Sequence, residues 1–158
     1  MNAPILNEDA LADALARERD AGRTIAFANG CFDVLHVGHI RYLQGAAKEA
    51  DVLVVGVNGD ESVHELKGAG RPVMKEAERA EIIAAIRGVS YVTIFRERSP
   101  ARLIGDFKPD VHCKGTDYTA DSVPEAAVVR SYGGRVAIVG DPKDHSTTEL
   151  LAKVKADG

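Results

Sequence analysis

Residues 24–57 read TIAFANGCFDVLHVGHIRYLQGAAKEADVLVVGV. The stretch begins with the apolar run Thr24-Ile25-Ala26-Phe27-Ala28 and ends with Val52-Leu53-Val54-Val55-Gly56-Val57 behind Asp51. Neither run alternates with polar residues, so both predict strands covered on two faces, as in a parallel sheet. Between them, residues 39–49 carry Ile40, Leu43, Ala46 and Ala47 at helical spacing, which predicts a helix. A strand, a helix and a second strand form a unit that joins two parallel strands.

The same alternation extends in both directions. Residues 7–20 place Leu11, Ala14, Leu15 and Ala16 on one helical stripe, with Asn7 as N-cap. Downstream, residues 75–87 predict a helix stopped by Gly88, and residues 91–95 a strand. Ser99-Pro100 opens another helix, with Ser as cap and Pro at the first helical position. Strands at 110–113 and 135–139 flank a helix over 123–132 that is closed by Gly133-Gly134. Ser146-Thr147-Thr148-Glu149 has the form of a capping box and opens the last helix. The expected fold is α/β: a Rossmann-like, doubly wound sheet of five parallel strands in a three-layer α/β/α single domain. Residues 1–22 are read as an N-terminal helical extension and 23–158 as the domain proper. Ligands of such sheets bind beyond the carboxyl ends of the strands. That rule selects the connections 29–38, 58–74, 96–99, 114–122 and 140–146.

Composition narrows the function classes. A chain of 158 residues suits one domain. A net charge of −4 gives no general attraction for nucleic acid, whose partners carry a basic face. No apolar run approaches the ~18 residues of a membrane helix. The opening residues Met1 to Asp9 lack the basic start and apolar centre of a signal peptide. Cys31 and Cys113 belong to no CxxC pair. No disulfide framework or cysteine zinc site is therefore expected, and a reducing cytoplasm is the expected compartment.

The chemistry concentrates after the first strand. Asn29-Gly30 turns the chain, and a helix follows near Gly38-His39. Gly30 permits close approach of backbone to a ligand, and the helix start offers unpaired N–H groups to an anion. No GxxxxGK[ST] or GxGxxG motif occurs. His36 and His39 stand at the helix entrance. Two imidazole N–H donors there suit the charge developed in displacement at phosphorus. A capping role is the plain alternative. Zinc binding with His64, His112 and His145 is another, although their spacing is irregular.

Other connections also carry ligand-binding residue types. Lys67 stands in a Gly-flanked segment where a lysine can reach phosphate, or simply be solvated. Arg71 is similar, and Arg79 can pair with Glu76 or Glu78. Lys114-Gly115-Thr116-Asp117 follows the fourth strand. Asp117 can accept from ribose hydroxyls or fix an Asx-turn. Asn58 and Asp60 follow the second strand. Ser146, Thr147 and Thr148 can cap the last helix and clamp phosphate together.

The stretch NGCFDVLHVGHIRYL over residues 29–43 closely resembles the signature of the HxGH nucleotidyltransferases, the cytidylyltransferase-like superfamily. Gly30, Phe32, Asp33, His36, Gly38 and His39 carry that resemblance, which extends over residues 24–155. More narrowly, residues 57–60, Leu66-Lys67-Gly68 with Arg71-Pro72-Val73, residues 114–118 and Ser146-Thr147-Thr148 resemble the adenylyltransferases of ADP-heptose synthesis. These are the C-terminal half of a bifunctional kinase/adenylyltransferase in many bacteria, and the stand-alone form is expected here.

The resemblance implies AMP transfer from ATP to D-glycero-β-D-manno-heptose 1-phosphate, for lipopolysaccharide or another surface glycan, with Mg²⁺ carried by the nucleotide. It implies catalytic roles for His36, His39 and Lys67. It implies nucleotide contacts at Gly30, Cys31, Phe32, Gly38, Lys114, Gly115, Asp117 and Ser146 to Thr148. Sugar-phosphate contacts are implied at Asp33, Asn58, Asp60, Arg71 and Arg79, and a homodimer is the family expectation. A CTP-dependent enzyme acting on glycerol 3-phosphate or another polyol phosphate is the alternative reaction. A nucleotide-sensing module without turnover is the alternative class. Where cytidylyltransferase relatives carry an arginine-led segment, this chain has Asp141-Pro142-Lys143-Asp144-His145, so Lys143 or His145 would supply the positive charge.

Overall fold

The computed structural model describes residues 1–141 and the helix at 147–157. Helices and strands alternate in the order α1 (Glu8–Asp20), β1 (Ile25–Gly30), α2 (Val37–Ala47), β2 (Val52–Asn58), α3 (Asp60–Lys67) and α4 (Glu76–Ala84). They continue as β3 (Tyr91–Phe95), α5 (Ala101–Phe107), β4 (Val111–Lys114), α6 (Ala126–Ser131), β5 (Arg135–Ile138) and α7 (Thr147–Asp157). The strands form one parallel sheet in the order β3-β2-β1-β4-β5. This is the doubly wound three-layer fold expected. Central β1 pairs with β2 from Ile25↔Val52 to Gly30↔Val57, and with β4 at Ala26↔Val111. The chain winds outward through β2 and β3, then returns to the other side of β1 for β4 and β5. The strand order therefore reverses between β1 and β4, and a crevice opens beyond their carboxyl ends.

Successive side chains on β1 face opposite layers. Ala26 and Ala28 join Leu43 of α2, Ile83 of α4 and Val55 of β2 in one core. Ile25 and Phe27 join Leu11 and Leu15 of α1, Leu103 of α5 and Val129 of α6 in the other. β2 is buried along its whole length, as its unbroken apolar run requires. Ahead of α1, the Leu6 N–H donates to Val92 O (2.8 Å) and the Val92 N–H donates to Pro4 O (3.0 Å). Ile5 thereby bridges Val92 in parallel on the side of β3 away from β2.

Several local expectations are corrected. The connection 58–74 contains α3, whose buried residues are Ser62 and Val63 alone, too few to produce a periodic apolar pattern. β1 continues through Asn29 and Gly30 rather than turning there. α2 begins at Val37 with His36 as N-cap, and α4 ends at Ala84. At α5, Pro100 takes the N-cap position, while Ser99 Oγ accepts the Ala101 N–H at 3.2 Å. Asn7 caps α1 as expected, accepting the Ala10 N–H at 2.9 Å. Both cysteines are free. No helix among the described residues is long and apolar enough to cross a membrane.

Candidate active site

The loop from β1 to α2 is shaped by backbone that favours glycine but contains none. Phe32 and Val34 have φ of 50° and 59°, a left-handed conformation that costs a non-glycine residue about 1–2 kcal/mol. Asp33, between them, is buried and holds the loop in place. Its carboxylate accepts from Arg71 Nε (2.7 Å), Val73 N (2.7 Å) and Met74 N (2.9 Å). Burial works to raise the Asp33 carboxyl, but these hydrogen bonds outweigh it and hold the group below its ordinary value. Gly30 leaves room for the Phe32 ring, because a Cβ there would lie 3.0 Å from it.

The two histidines form a reciprocal cap. His36 Nδ1 accepts the Gly38 N–H at 3.1 Å, and His39 Nδ1 accepts the His36 N–H at 3.2 Å. Their ring centroids lie 4.1 Å apart. Capping therefore accounts for one nitrogen of each ring. With both Nδ1 atoms accepting, each neutral ring carries its hydrogen on Nε2. Capping and ligand binding are thus compatible, and capping fixes which nitrogen donates. Burial pushes the Cys31 thiol above its ordinary value, although Lys67, Arg79 and Arg71 pull the other way. Cys31 consequently lacks the thiolate character of a nucleophile.

These groups line a cavity of about 690 Å³, within the size range of small-molecule sites. Gly30, Cys31, Phe32, Asp33, Gly38 and both histidines form one wall, at the end of β1 and the start of α2. Asn58, Lys67 and Arg71 form another, and Lys114, Gly115 and Asp117 a third. Five described cations line it: Arg41, Lys67, Arg71, Arg98 and Lys114. Arg41 pairs with Asp141, Arg71 with Asp33, Arg98 with Glu65 and Lys114 with Glu125. Among the described residues, Lys67 alone of the five makes no ion pair. It is the last residue of α3 rather than part of a loop, and Gly68 (φ 95°) ends that helix behind it.

The model of the cytidylyltransferase-like family matches residues 27–153. The chain belongs to the cytidylyltransferase-like family. It is similar to the bifunctional protein HldE of Geotalea uraniireducens, with 50% identity over 154 residues, which are 98% of this chain and 31% of that protein. The bifunctional protein HldE of Geobacter metallireducens is also 50% identical, over 153 residues, 97% of this chain and 31% of that protein. The chain spans about a third of the length of these curated relatives. Among solved structures it is similar to the lipopolysaccharide core biosynthesis protein from Thermoplasma volcanium GSS1, with a TM-score of 0.66 and 26% identity. That likeness covers 77% of this chain and all of the other.

Two sequence-selected residues do not line the cytidylyltransferase-like cavity. Asp60 is the first residue of α3 and pairs with Arg79 at 2.8 Å. Arg79, fully buried, donates to Cys31 O and Asn58 O (both 2.6 Å) and to Met74 O (2.9 Å). It ties together the connections that build the cavity wall, and its ion pair is with Asp60 rather than Glu76 or Glu78. The Asn58 amide donates to Ser62 Oγ (3.3 Å) and Glu97 O (3.2 Å).

Lys143, His145 and Ser146 lie outside the described residues, as do the side chains of Thr147 and Thr148. His64 and His112 do not join the other two histidines at the cavity. Among the described residues no three His, Cys, Asp or Glu side chains are grouped as a metal site requires. The sequence reading gave no role to Arg41, Tyr42, Arg98, Tyr118 or Glu125, all of which line the cavity. Arg41 and Tyr42 fall in the quoted 29–43 signature and were within reach. Arg98 and Glu125 sit in no motif.

Proposed function

We propose that this chain transfers AMP from ATP to D-glycero-β-D-manno-heptose 1-phosphate, releasing pyrophosphate and giving ADP-heptose for a surface glycan such as lipopolysaccharide. The reciprocal His36–His39 cap carries this reading, because it presents Nε2–H donors beside the start of α2 in a cavity lined by cations. Family membership and half-identity to two proteins named HldE support the substrate class.

In the reaction, a phosphate oxygen of the sugar 1-phosphate attacks the α-phosphorus. The bond from that phosphorus to the bridging oxygen breaks, and pyrophosphate leaves with the electron pair. His36 and His39 donate to the triphosphate oxygens, aided by the positive end of α2. Lys67, which pairs with no carboxylate among the described residues, meets charge that develops between acceptor and nucleotide. Gly30, Cys31, Phe32 and Gly38 bring backbone close to the phosphates. Lys114, Gly115 and Asp117 hold the nucleotide, and Ser146, Thr147 and Thr148 are proposed as further phosphate contacts. Asp33, Asn58 and Arg71 shape the acceptor end, Arg71 from its ion pair and Asp33 through the loop it orders. Asp60 and Arg79 contribute by fixing that wall.

The donor set fits an Mg²⁺ ion that would arrive with the nucleotide, since three of the four carboxylates lining the cavity, Asp33, Glu125 and Asp141, are already paired with cations and do not form a metal cluster with Asp117. Such an ion would neutralise phosphate charge. A cytoplasmic location is proposed, where ATP is at hand, and a homodimer, which light scattering tests.

A pyrophosphate-release assay crossing ATP, CTP, GTP and UTP with heptose, other sugar and polyol phosphates tests the reading. ATP with the heptose 1-phosphate is expected to react fastest. His39→Ala is expected to lower turnover about 10²–10³-fold, while losing only the ~1 kcal/mol of stability owed to a cap. Near-normal pyrophosphate release by the folded variant would sink the assignment of His39.

A further inference from the structure

β4 ends in Lys114, at the cavity wall. Its Nζ lies 3.6 Å from Glu125 Oε1 and 5.4 Å from the centroid of the Tyr118 ring. Glu125 is the N-cap residue of α6, and its side chain is 6% exposed. The other carboxylate oxygen, Oε2, lies 3.6 Å from His112 Nε2 and accepts no hydrogen bond. His112 is itself fully buried and stacked on Phe27, with centroids 5.9 Å apart. A row of three titratable groups thus leads from the sheet interior to the cavity.

The charges on this row are unequal. Burial pushes the His112 imidazole below its ordinary value despite the neighbouring carboxylate, so at neutral pH it is uncharged. Burial also works to raise the Glu125 carboxyl, but the polar edge of the His112 imidazole beside it and the Lys114 ammonium outweigh it, and the group lies below its ordinary value. An ionised carboxylate this deeply buried requires a cation. Lys114 is the one member of the row that supplies a full positive charge. The pairing acts both ways: the ammonium neutralises the carboxylate, and the carboxylate fixes the ammonium.

We propose that Glu125 is a positioning residue for nucleotidyl transfer and acts through Lys114. This rests on the functional reading above. A lysine stem is flexible, and its charge helps a transition state most when it need not be reoriented as charge moves onto the leaving pyrophosphate. Glu125 sets the ammonium in place before the nucleotide arrives. Its own negative charge opposes the bound nucleotide, so it contributes nothing to ground-state affinity.

Removing the charge at constant shape is therefore expected to separate kcat from KM. Glu125→Gln lowers kcat about tenfold or more and leaves KM for ATP unchanged or lowered. In a Lys114→Met background the same substitution changes kcat by less than about twofold, because its target is gone. Glu125→Asp keeps the charge and retains more kcat than Glu125→Gln. It also serves where the glutamine variant melts below assay temperature.

Wild-type kcat in Glu125→Gln overturns the proposal. An equal fold-loss in both backgrounds also overturns it, since that marks packing alone. Calorimetric titration of the same proteins with ATP and Mg²⁺ separates the two levels of inference. A wild-type chain that binds no ATP removes the functional reading and this proposal with it. Wild-type binding and turnover, with Glu125→Gln uncoupled from Lys114→Met, removes this proposal alone.

Discussion

Asp33 concentrates several demands on one side chain. It accepts three hydrogen bonds while buried, and it sits between two residues in left-handed backbone. Its carboxyl lies below its ordinary value in the folded chain, so the folded state favours the ionised form. That contribution to stability is fully present above the unfolded value of about 3.9 and is lost as pH falls through the lower folded value. Asp33→Asn is expected to destabilise the protein at neutral pH and to shrink the loss of stability on acidification below about pH 4. Denaturant melts at pH 7 and pH 3 check this. Parallel losses in wild type and variant would show that Asp33 does not carry the effect. The sequence made Asp33 visible as part of a signature, but not as the clamp of a strained loop. Phe32 and Val34 give no warning of positive φ, because neither is a residue type that marks it. Arg79 hides for a related reason: three of its partners are backbone carbonyls, at Cys31, Asn58 and Met74, and carbonyls have no sequence signal.

At the scale of elements, what can be read depends on how much apolar surface each element buries. β2 declares itself through an unbroken Val/Leu run, and α1 through Leu11, Ala14 and Leu15. α3 buries only Ser62 and Val63 and passes for a loop, although it delivers Lys67 to the cavity. Gly68 follows directly, with φ 95° and nothing within 4 Å of a would-be Cβ. Space is therefore not at issue there, and conformation is. Gly68→Ala is expected to cost about 1 kcal/mol and, by shifting the end of α3, to lower turnover beyond the loss of folded protein. A thermal melt paired with kcat measured well below the melting temperature separates the two effects. Unchanged kcat would mean that Lys67 tolerates a relaxed helix end. The row His112–Glu125–Lys114 was illegible for another reason. It is assembled by the crossover from β4 to α6, and no local pattern announces which side chain at the start of α6 returns beside the strand.

For the whole molecule, the order of apolar runs was enough to predict a doubly wound sheet, and the reversal of strand order then located the cavity. Charge was less readable. A chain of net charge −4 lines its cavity with five described cations, four of them neutralised across element boundaries. The opening residues have a role that neither periodicity nor motif indicated. Pro4 and Leu6 hydrogen-bond Val92 on the side of β3 away from β2. β3 itself, Tyr91-Val92-Thr93-Ile94-Phe95, is an uncharged run of aromatic and β-branched residues, the composition of segments that stack into fibrils. An open strand of that kind is a template for another chain. Deleting residues 1–6 is expected to leave the sheet folded but to make it associate on standing, read as rising light scattering and thioflavin fluorescence. A truncated chain that stays clear at high concentration would disprove this. Six residues that do not line the cavity would then govern the protein's shelf life, by keeping its most adhesive strand out of reach of its neighbours.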